Sequence, residues 1–399
     1  MGIILMDGLL KETDVSITVL RGMEGLESLR DAWNEIVSGM TCRHFFHLWE
    51  WYYSYLQCLA PDPNAMMFFL FTKGETPVAI FPLQCTKITL GGLPLKALAF
   101  PSHNHMLLCD LVCHREALLL PLFQLLSQHL RNQGKSWDLI QLPHLLEEAC
   151  AIQVIHNHPP SRFLLRHEGR CNFIDATGTY ELLLSGLSKN FRRRLKRARQ
   201  HLDELPGVQF TFTQNGLDLE ERLEAFMDVE ASGWKGILGI GTAIKLHPSL
   251  RCFYRTLTRT LSASGKVSIN TLTADGKCIG AQFCLLLDDT TYILKIGYDE
   301  DYKRYAPGNL LMDFFIKKSI KDCTIKNINL ISGAEWLGDW RPKSYNKSKL
   351  YLFNTTPAGL IGFIILKSYP ILKKHYQAYI KSHLSRRMQE WIGRLSHET

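Results

Sequence analysis

Residues 278–317 read CIGAQFCLLLDDTTYILKIGYDEDYKRYAPGNLLMDFFIK, and this stretch decides the fold of the chain. Two apolar runs flank Asp288 to Thr290, a pattern that predicts a β-hairpin. The second strand is expected to end near Gly297, where a polar, aromatic loop begins. Pro307 and Gly308 then open a helix, because proline is favoured in a first helical turn. Apolar residues follow at helical spacing, at Leu310, Leu311, Phe314 and Phe315.

This strand–loop–helix unit leaves a free helix N-terminus close to the end of a strand. The first backbone N–H groups of a helix lack partners and carry partial positive charge, so they favour a bound phosphate. An ordinary turn followed by a helix start explains the same pattern without a ligand. The choice between the two interpretations depends on the residues around the unit.

The predicted elements occur in a similar order twice along the chain, with no repeat in the sequence itself. In each part, the residue pattern predicts a group of strands, a helix and a further strand. The segment His156 to Ser161 interrupts regular structure between the two parts. The fold class we predict is α/β (α+β), with two tandem halves, each a mixed, mostly antiparallel sheet flanked by helices. We place one domain at residues 1–160, a second at 161–356 and a basic helical tail at 357–399.

Composition indicates a globular protein without a membrane span, since the longest apolar run, Ala358 to Leu366, is too short. The N-terminus has no basic region followed by a cleavage site, so it does not resemble a secretory signal. The chain has 11 scattered cysteines without a CxxC pair, and Cys109 and Cys113 lack histidine partners. We therefore expect reduced thiols, no metal and a cytoplasmic protein.

Positive charge is concentrated in two segments, although the whole chain has a net charge of +8. Lys189 to Arg199 contains no acidic residue, and Leu187, Phe191 and Leu195 give it an apolar stripe, so its cations cover the other face. A solvated face, a polyanion, a phosphate-bearing acceptor or an acidic carrier protein would each suit them. The tail has an apolar patch surrounded by lysine and arginine, which fits either an anionic membrane surface or packing on the core.

Five sequence motifs occur in an order typical of one family. They are Phe46, Trp49 and Trp51 in an aromatic helix; Val78 to Leu83; the basic helix Leu187 to Arg197; Glu230 with Trp234, Lys235 and Gly236; and Lys295 to Asp299 leading to Pro307 to Leu311. With these motifs the chain resembles the CelD/BcsL-like branch of GNAT acyltransferases, which are related to the Fem-type aminoacyltransferases. The resemblance covers roughly residues 15–350.

The resemblance implies two GNAT-like halves, with the acyl-thioester site in the second half. It implies acetyl-CoA or another acyl-CoA as donor, with an acyl carrier protein as the alternative. The acceptor would be an amine or hydroxyl of a small molecule, glycan or lipid-linked precursor in cell-envelope or polysaccharide synthesis. The family often has a lysine after the last core strand, where this chain has Leu337 and Gly338, so its acceptor is expected to differ.

Acyl transfer requires an aligned acceptor, a base for its proton and a donor to the thioester oxygen. The catalytic candidates are Glu230, Asp299 and Gln282, and each also has a structural interpretation as a loop carboxylate or a satisfied amide. Glu335 and His247 are further candidate bases. We assign the cofactor to Lys295, Tyr298, Pro307, Gly308, Asn309 and Leu310. We assign the acceptor to Trp234, Lys235, Arg192, Lys196, Glu335 and Trp336.

Two other functions remain open at this point. Fem-type transfer from an aminoacyl-tRNA would use the basic helix as the RNA contact. Against nucleic acid, that helix lacks the interleaved aromatic residues that stack on unpaired bases. A non-catalytic GNAT-like scaffold of an envelope-synthesis complex, recruited to the inner face of the membrane by the tail, is the third hypothesis.

Overall fold

The structure is a computed structural model that describes residues 14–369. It leaves out Ser102, residues 134–136, Asn215 and Leu217, together with the side chains of Glu335 and Trp336. The predicted membrane-binding tail therefore lies mostly outside the described residues.

The first half contains an aromatic helical layer above a group of strands. Its helix α3 carries Trp49, Trp51, Tyr52 and Tyr55, which are all buried. The elements of this half are β1 (Val15–Arg21), α1 (Gly22–Ser28), α2 (Arg30–Ser38), α3 (Trp49–Cys58), β2 (Met66–Lys73), β3 (Thr76–Leu90), β4 (Leu93–Ala99), β5 (Val112–Cys113), α4 (Leu122–Asn132), β6 (Leu139–Leu146) and α5 (Cys150–Asn157).

The second half repeats this plan and contains the quoted stretch. Its hairpin is confirmed, because Leu287 pairs with Thr290 across a two-residue turn in which Asp288 has a φ of 53°. The elements are β7 (Phe163–Asp175), α6 (Tyr180–Gly186), α7 (Lys189–Leu202), β8 (Gln209–Thr213), α8 (Asp218–Ser232), α9 (Pro248–Ser262), β9 (Val267–Ala274), β10 (Lys277–Leu287), β11 (Thr290–Tyr298), α10 (Pro307–Asp322), β12 (Asn327–Asn329), β13 (Lys343–Phe353) and α11 (357–369).

All these strands belong to a single mixed sheet. Its order is β1-β2-β3-β4-β6-β13-β7-β12-β11-β10-β9-β8, and β5 pairs with β3. Each half has one parallel pair, β4 with β6 and β11 with β12, while the other pairs are antiparallel. The strand β13 pairs with β6 on one side and β7 on the other, so it joins the halves. The predicted fold class is confirmed, and the domain boundaries stay a prediction.

Helices cover both faces of the sheet and bury separate apolar cores. On one face, α3 of the first half packs on α9 of the second, where the rings of Trp51 and Phe253 lie 5.2 Å apart. On the other face, α7 and α10 enclose a core with Phe191, Leu195 and Ile316. Phe363 of α11 packs beside Phe353 in a smaller cluster, which agrees with the packing alternative for this part of the tail.

Two expectations from the sequence are wrong. Cys58 of α3 and Cys252 of α9 form a disulfide, although we expected only reduced thiols. Sequence spacing could not reveal this pair, because the fold alone brings the two helices together. The pattern from His114 to Arg131 also predicts one amphipathic helix, whereas the structure has a 3₁₀ turn, Arg115–Leu119, followed by α4. Pro121 causes the break, since a proline disfavours helical backbone at the residue before it.

No helix in the described ranges combines the length and the apolar character needed to cross a membrane.

Candidate functional site

A cavity of about 580 Å³ opens where β11 separates from β12 in the second half. The two strands pair only from Thr290 to Tyr292, and beyond this point the cavity lies between β11 and the segment after β12. Its lining comprises Leu107, Glu230, Gly233, Trp234, Lys235, Ile293, Leu294, Lys295, Ile296, Gly297, Tyr298, Glu300, Lys303, Ala306, Pro307, Gly308, Asn309, Leu330, Ser332 and Leu337.

The start of α10 forms one end of this cavity. Ala306 takes left-handed backbone angles (φ 48°, ψ 49°) and turns the chain into the helix at Pro307. No described side chain caps this N-terminus, so the N–H groups of Gly308 and Asn309 remain at a cavity wall. Such a helix start attracts an anion. The structure thus brings the predicted cofactor residues Tyr298, Pro307, Gly308 and Asn309 together.

A β-bulge shapes the middle of the cavity. The register between β10 and β11 shifts between Phe283 and Cys284, which leaves Leu294 as the extra residue of β11. A bulge bends a strand and disrupts its ladder. Among the described strands, none pairs with the outer edge of β11 beyond Tyr292. Beyond Tyr292, the backbone of β11 therefore pairs with a neighbouring strand on one side only.

The loop between α8 and α9 forms the other end of the cavity and is anchored by Glu230. This buried carboxylate accepts from Lys235 Nζ at 3.0 Å through one oxygen and from the Ile244 N–H at 2.8 Å through the other. Lys235 also donates to the carbonyl of Ile296 on β11 at 3.1 Å. Both Glu230 oxygens thus accept hydrogen bonds from the loop, and these contacts hold the loop against β11.

Lys295 carries the most strongly perturbed amine of the cavity. Burial lowers its pKa from 10.5 to about 8, with a further decrease caused by the charge of Lys235. The charge of Lys295 also affects two histidines of the first half, His103 and His105. Burial, followed by the charge of Lys295, lowers the pKa of His105 to about 3 and also lowers the pKa of His103. Both imidazoles are therefore neutral near pH 7, and His105 Nδ1 lies 2.9 Å from the Tyr254 hydroxyl.

Exposed apolar side chains cover residues 233–241 of the loop between α8 and α9, here called the apolar loop. Trp234 lines the cavity and is still more than half exposed, and Leu238 is fully exposed. Ile237 and Ile240 are exposed beside them. Large apolar residues that cluster in solvent at the mouth of a site are typical of a contact surface.

Three predicted site residues, Asp299, Gln282 and Leu310, lie outside the cavity lining. Asp299 caps the 3₁₀ turn Glu300–Tyr305 and pairs with Lys277 at 2.7 Å. Gln282 is fully buried and accepts from Asn270 Nδ2 at 3.1 Å. Leu310 is buried in the core under α10. Glu335 and Trp336 begin the 3₁₀ turn Glu335–Trp340, and their side chains are outside the described part.

Arg192 and Lys196 lie on the exposed face of α7 and do not line the cavity. The helix reaches the site through other residues. Phe191 packs edge-on against Trp340, whose indole N–H donates to Asn309 Oδ1 at 3.3 Å. Arg194 pairs with Asp339 at 2.6 Å. This helix therefore supports the wall of the cavity with its buried side.

A segment of the first half that sequence reasoning missed reaches this site. Leu107 lines the cavity, and His103 and His105 lie beside Lys295. The only signal in the sequence is the short pair of histidines after β4, and nothing in its spacing points to residues of the second half. Strand alternation predicts that Lys295 lies on the face opposite both Leu294 and Ile296. The bulge changes this arrangement, since Leu294 packs on the first core and Ile296 on the second.

Comparison with known proteins agrees with this arrangement. Residues 189–336 match the family described as an acetyltransferase (GNAT) domain. This range contains the bulged strand, the start of α10 and the anchored loop. The predicted enzyme class, a GNAT-type acyltransferase, is confirmed, whereas the CelD/BcsL-like branch stays a prediction. A search of curated protein sequences finds no match.

Some solved structures are similar to this chain at low sequence identity. FemX is similar with a TM-score of 0.53 and 9% identity, over 83% of this chain and 98% of that one. L-PGS from Bacillus licheniformis has a TM-score of 0.49 and 13% identity, over 87% and 96% of the two chains. A tandem GNAT protein from the clavulanic acid biosynthesis pathway has a TM-score of 0.44 and 9% identity, over 86% of this chain and 99% of that one. The likeness to FemX concerns the fold alone.

Proposed function

We propose that this protein transfers an acyl group from an acyl-CoA to an amine or hydroxyl of a lipid-linked or glycan precursor of the cell envelope. The observation that carries the proposal is the cavity in which the uncapped start of α10 and the unpaired edge of β11 meet. The neighbouring Lys295 and apolar loop supply the acceptor end.

The donor site would use the start of α10. The pyrophosphate of an acyl-CoA would lie at the N–H groups of Gly308 and Asn309, near Lys303. Its thioester would then extend along β11, where strand backbone beyond Tyr292 faces the cavity. Backbone N–H groups held at that place stabilise the oxygen of the tetrahedral intermediate as negative charge develops there.

Lys295 would take the proton of the acceptor. The acceptor nitrogen or oxygen attacks the thioester carbonyl carbon, the C–S bond breaks and the CoA thiolate leaves. The attacking group must lose a proton, and a neutral amine with a pKa of about 8 accepts it at moderate pH. Glu230 is less suited to this step, because Lys235 and the Ile244 N–H occupy both of its oxygens.

The apolar loop supports an acceptor with a lipid part. Ile237, Leu238 and Ile240 project into solvent beside Trp234, which lines the cavity. An acceptor whose reactive group enters the cavity while its chains stay at the membrane would bury these side chains. Each fully buried leucine or isoleucine side chain contributes about 1.5–3 kcal/mol.

A calorimetric titration with acetyl-CoA and longer acyl-CoAs tests the donor site. We expect binding to the unaltered protein and its loss in Gly308→Trp, because the indole would fill the space at the helix start next to Tyr298. Gly186→Trp is the matched control, since this glycine is exposed, lies outside the cavity lining, and has no contact within 4 Å of an added Cβ. Binding that survives Gly308→Trp, or no heat with any thioester, would refute this donor site.

One observation favours a second candidate, aminoacyl transfer from a charged tRNA. The exposed face of α7 carries Arg192, Arg193, Lys196 and Arg197 without an acidic residue in the helix. Binding of tRNA that weakens steeply with salt, together with no response to acyl-CoA, would support this donor. Failure of both donors would leave the scaffold hypothesis.

A further inference from the structure

Cys42, His44 and Glu148 form a compact cluster outside the acyl-transfer cavity, here called the Cys-His-Glu cluster. Cys42 and His44 precede α3, and Glu148 lies in the turn between β6 and α5. His44 Nε2 lies 3.3 Å from Cys42 Sγ and 3.4 Å from Glu148 Oε1. The three atoms all lie within 4.8 Å of one another. We propose that this cluster binds one divalent transition-metal ion, with Zn²⁺ as the preferred ion.

The distances fit three ligands of one tetrahedral ion. With Zn–N, Zn–O and Zn–S bonds of about 2.0, 2.1 and 2.3 Å, tetrahedral ligands lie about 3.4 Å (N to O) and about 3.5 Å (N to S) apart. The observed separations of 3.4 and 3.3 Å are close to both values. A thiolate, an imidazole and a carboxylate are also the ligand types that zinc prefers.

A second layer of contacts orients the central ligand. His44 Nδ1 lies 2.7 Å from the Tyr292 hydroxyl, so an N–H at this position leaves Nε2 free to bind a metal. The His44 ring also stacks on Phe46 with the two planes 17° apart, and its backbone N–H donates to His47 Nδ1. These contacts hold Nε2 towards Cys42 and Glu148.

Partial burial would allow the ion to enter and keep one position open. The side chain of His44 is 13% exposed and that of Glu148 is 31% exposed. Three protein ligands leave the fourth position for water or another small ligand. A dication would also compensate the thiolate and carboxylate charges, which are otherwise costly to hold together.

The site lies where the two halves meet. Its ligands belong to the first half, whereas Tyr292 is on β11, the strand that also carries Lys295. A bound ion would thus hold the segment before α3 and the turn before α5 in a fixed position against the strand of the acyl-transfer cavity. The sequence conceals this cluster, because Glu148 is far along the chain from Cys42 and His44.

Titration of the reduced, metal-stripped full chain with Co²⁺ tests the proposal. We expect one Co²⁺ per chain, the intense visible bands of a tetrahedral ion and a thiolate-to-cobalt charge-transfer band, all removed by added Zn²⁺. Cys42→Ser should abolish the charge-transfer band. Glu148→Gln should weaken binding at least tenfold and keep that band, and Tyr292→Phe should weaken binding about tenfold to a hundredfold.

Cys85→Ser and Cys323→Ser are matched controls, because both are exposed free cysteines outside the cluster. They should leave the Co²⁺ spectrum and affinity unchanged, and circular dichroism of every variant checks the fold. Absence of a charge-transfer band in the unaltered protein would overturn the proposal. A band that persists in Cys42→Ser, or is lost in a control variant, would overturn it as well.

Discussion

Lys295 places an amine in surroundings that favour its neutral form. Since its pKa falls to about 8, the neutral fraction is small at pH 7 and rises as the pH passes through 8. If neutral Lys295 accepts the acceptor proton, kcat should rise with pH and level off above about 8. Lys295→Arg keeps the charge throughout this range and should reduce kcat about 10²–10⁴-fold.

Lys303→Arg is the control for this measurement, because Lys303 lines the same cavity near the start of α10. It should keep the dependence of kcat on pH. An unchanged pH profile in Lys295→Arg would show that another group takes the proton.

Gly297 is required where α8 crosses β11. A Cβ at this position would lie 2.6 Å from the Cα and 2.9 Å from the backbone N of Glu230, so the helix would have to move. We expect Gly297→Ala to lower the free energy of unfolding by about 1–3 kcal/mol and to reduce activity, because the Glu230–Lys235 contact shifts with the helix. Denaturant unfolding and initial rates measure both effects.

Gly186→Ala provides the comparison, since a Cβ there meets no atom within 4 Å. It should leave both stability and rate nearly unchanged. A Gly297→Ala protein with normal stability and activity would contradict the close approach of α8 and β11.

Single residues show which parts of the site a sequence can predict. The place of Gly308 and Asn309 at the start of α10 could be predicted, because a helix start follows directly from Pro307 and the apolar spacing behind it. Asp299 follows a lining residue but does not line the cavity itself, and its carboxylate instead caps the turn Glu300–Tyr305 and pairs with Lys277. His105 could not be assigned, since its position depends on how the first half packs on the second.

The apolar loop, residues 233–241, exposes several large apolar side chains of types that are usually buried. The double substitution of Ile237 and Leu238 to serine should lower activity on a lipid-linked acceptor in vesicles. The reason is that the lipid part of the acceptor loses its apolar contacts with these two exposed side chains. Activity on a water-soluble acceptor analogue should stay within about twofold, and acyl-CoA binding should not change. The measurement compares kcat/KM for the two acceptors.

Leu119→Ser is the matched control, since Leu119 is also largely exposed and lies in the first half outside the cavity lining. It should affect neither acceptor. Equal losses on both acceptors in the loop variant would contradict a role in lipid recognition.

Strong apolar patterns predicted most elements, but the sequence did not predict two central strands, β7 and β13. The strands β10 and β11 are nearly continuous apolar runs, so the sequence locates them well. In contrast, β7 and the first part of β13 are polar and mostly only half-buried or exposed. Their hydrogen bonds come from pairing with each other, which is a long-range property that no local pattern reports.

The whole molecule is expected to unfold in one step despite its two similar halves. The halves share one sheet, the apolar core containing Trp51 and Phe253, and the Cys58–Cys252 disulfide. We therefore expect a single calorimetric transition whose van't Hoff and calorimetric enthalpies agree. Two resolved transitions would instead show halves that fold independently, in agreement with the predicted domain boundary.

The central place of β13 has a consequence for synthesis on the ribosome. The chain must extend to Phe353 before the edges of β6 and β7 acquire their shared partner. Until then the growing polypeptide exposes two unpaired strand edges, which are the surfaces most prone to join with other chains. Yield in the cell should therefore depend on chaperones that protect the chain until β13 has been made, and a stop codon shortly before Lys343 should give aggregates.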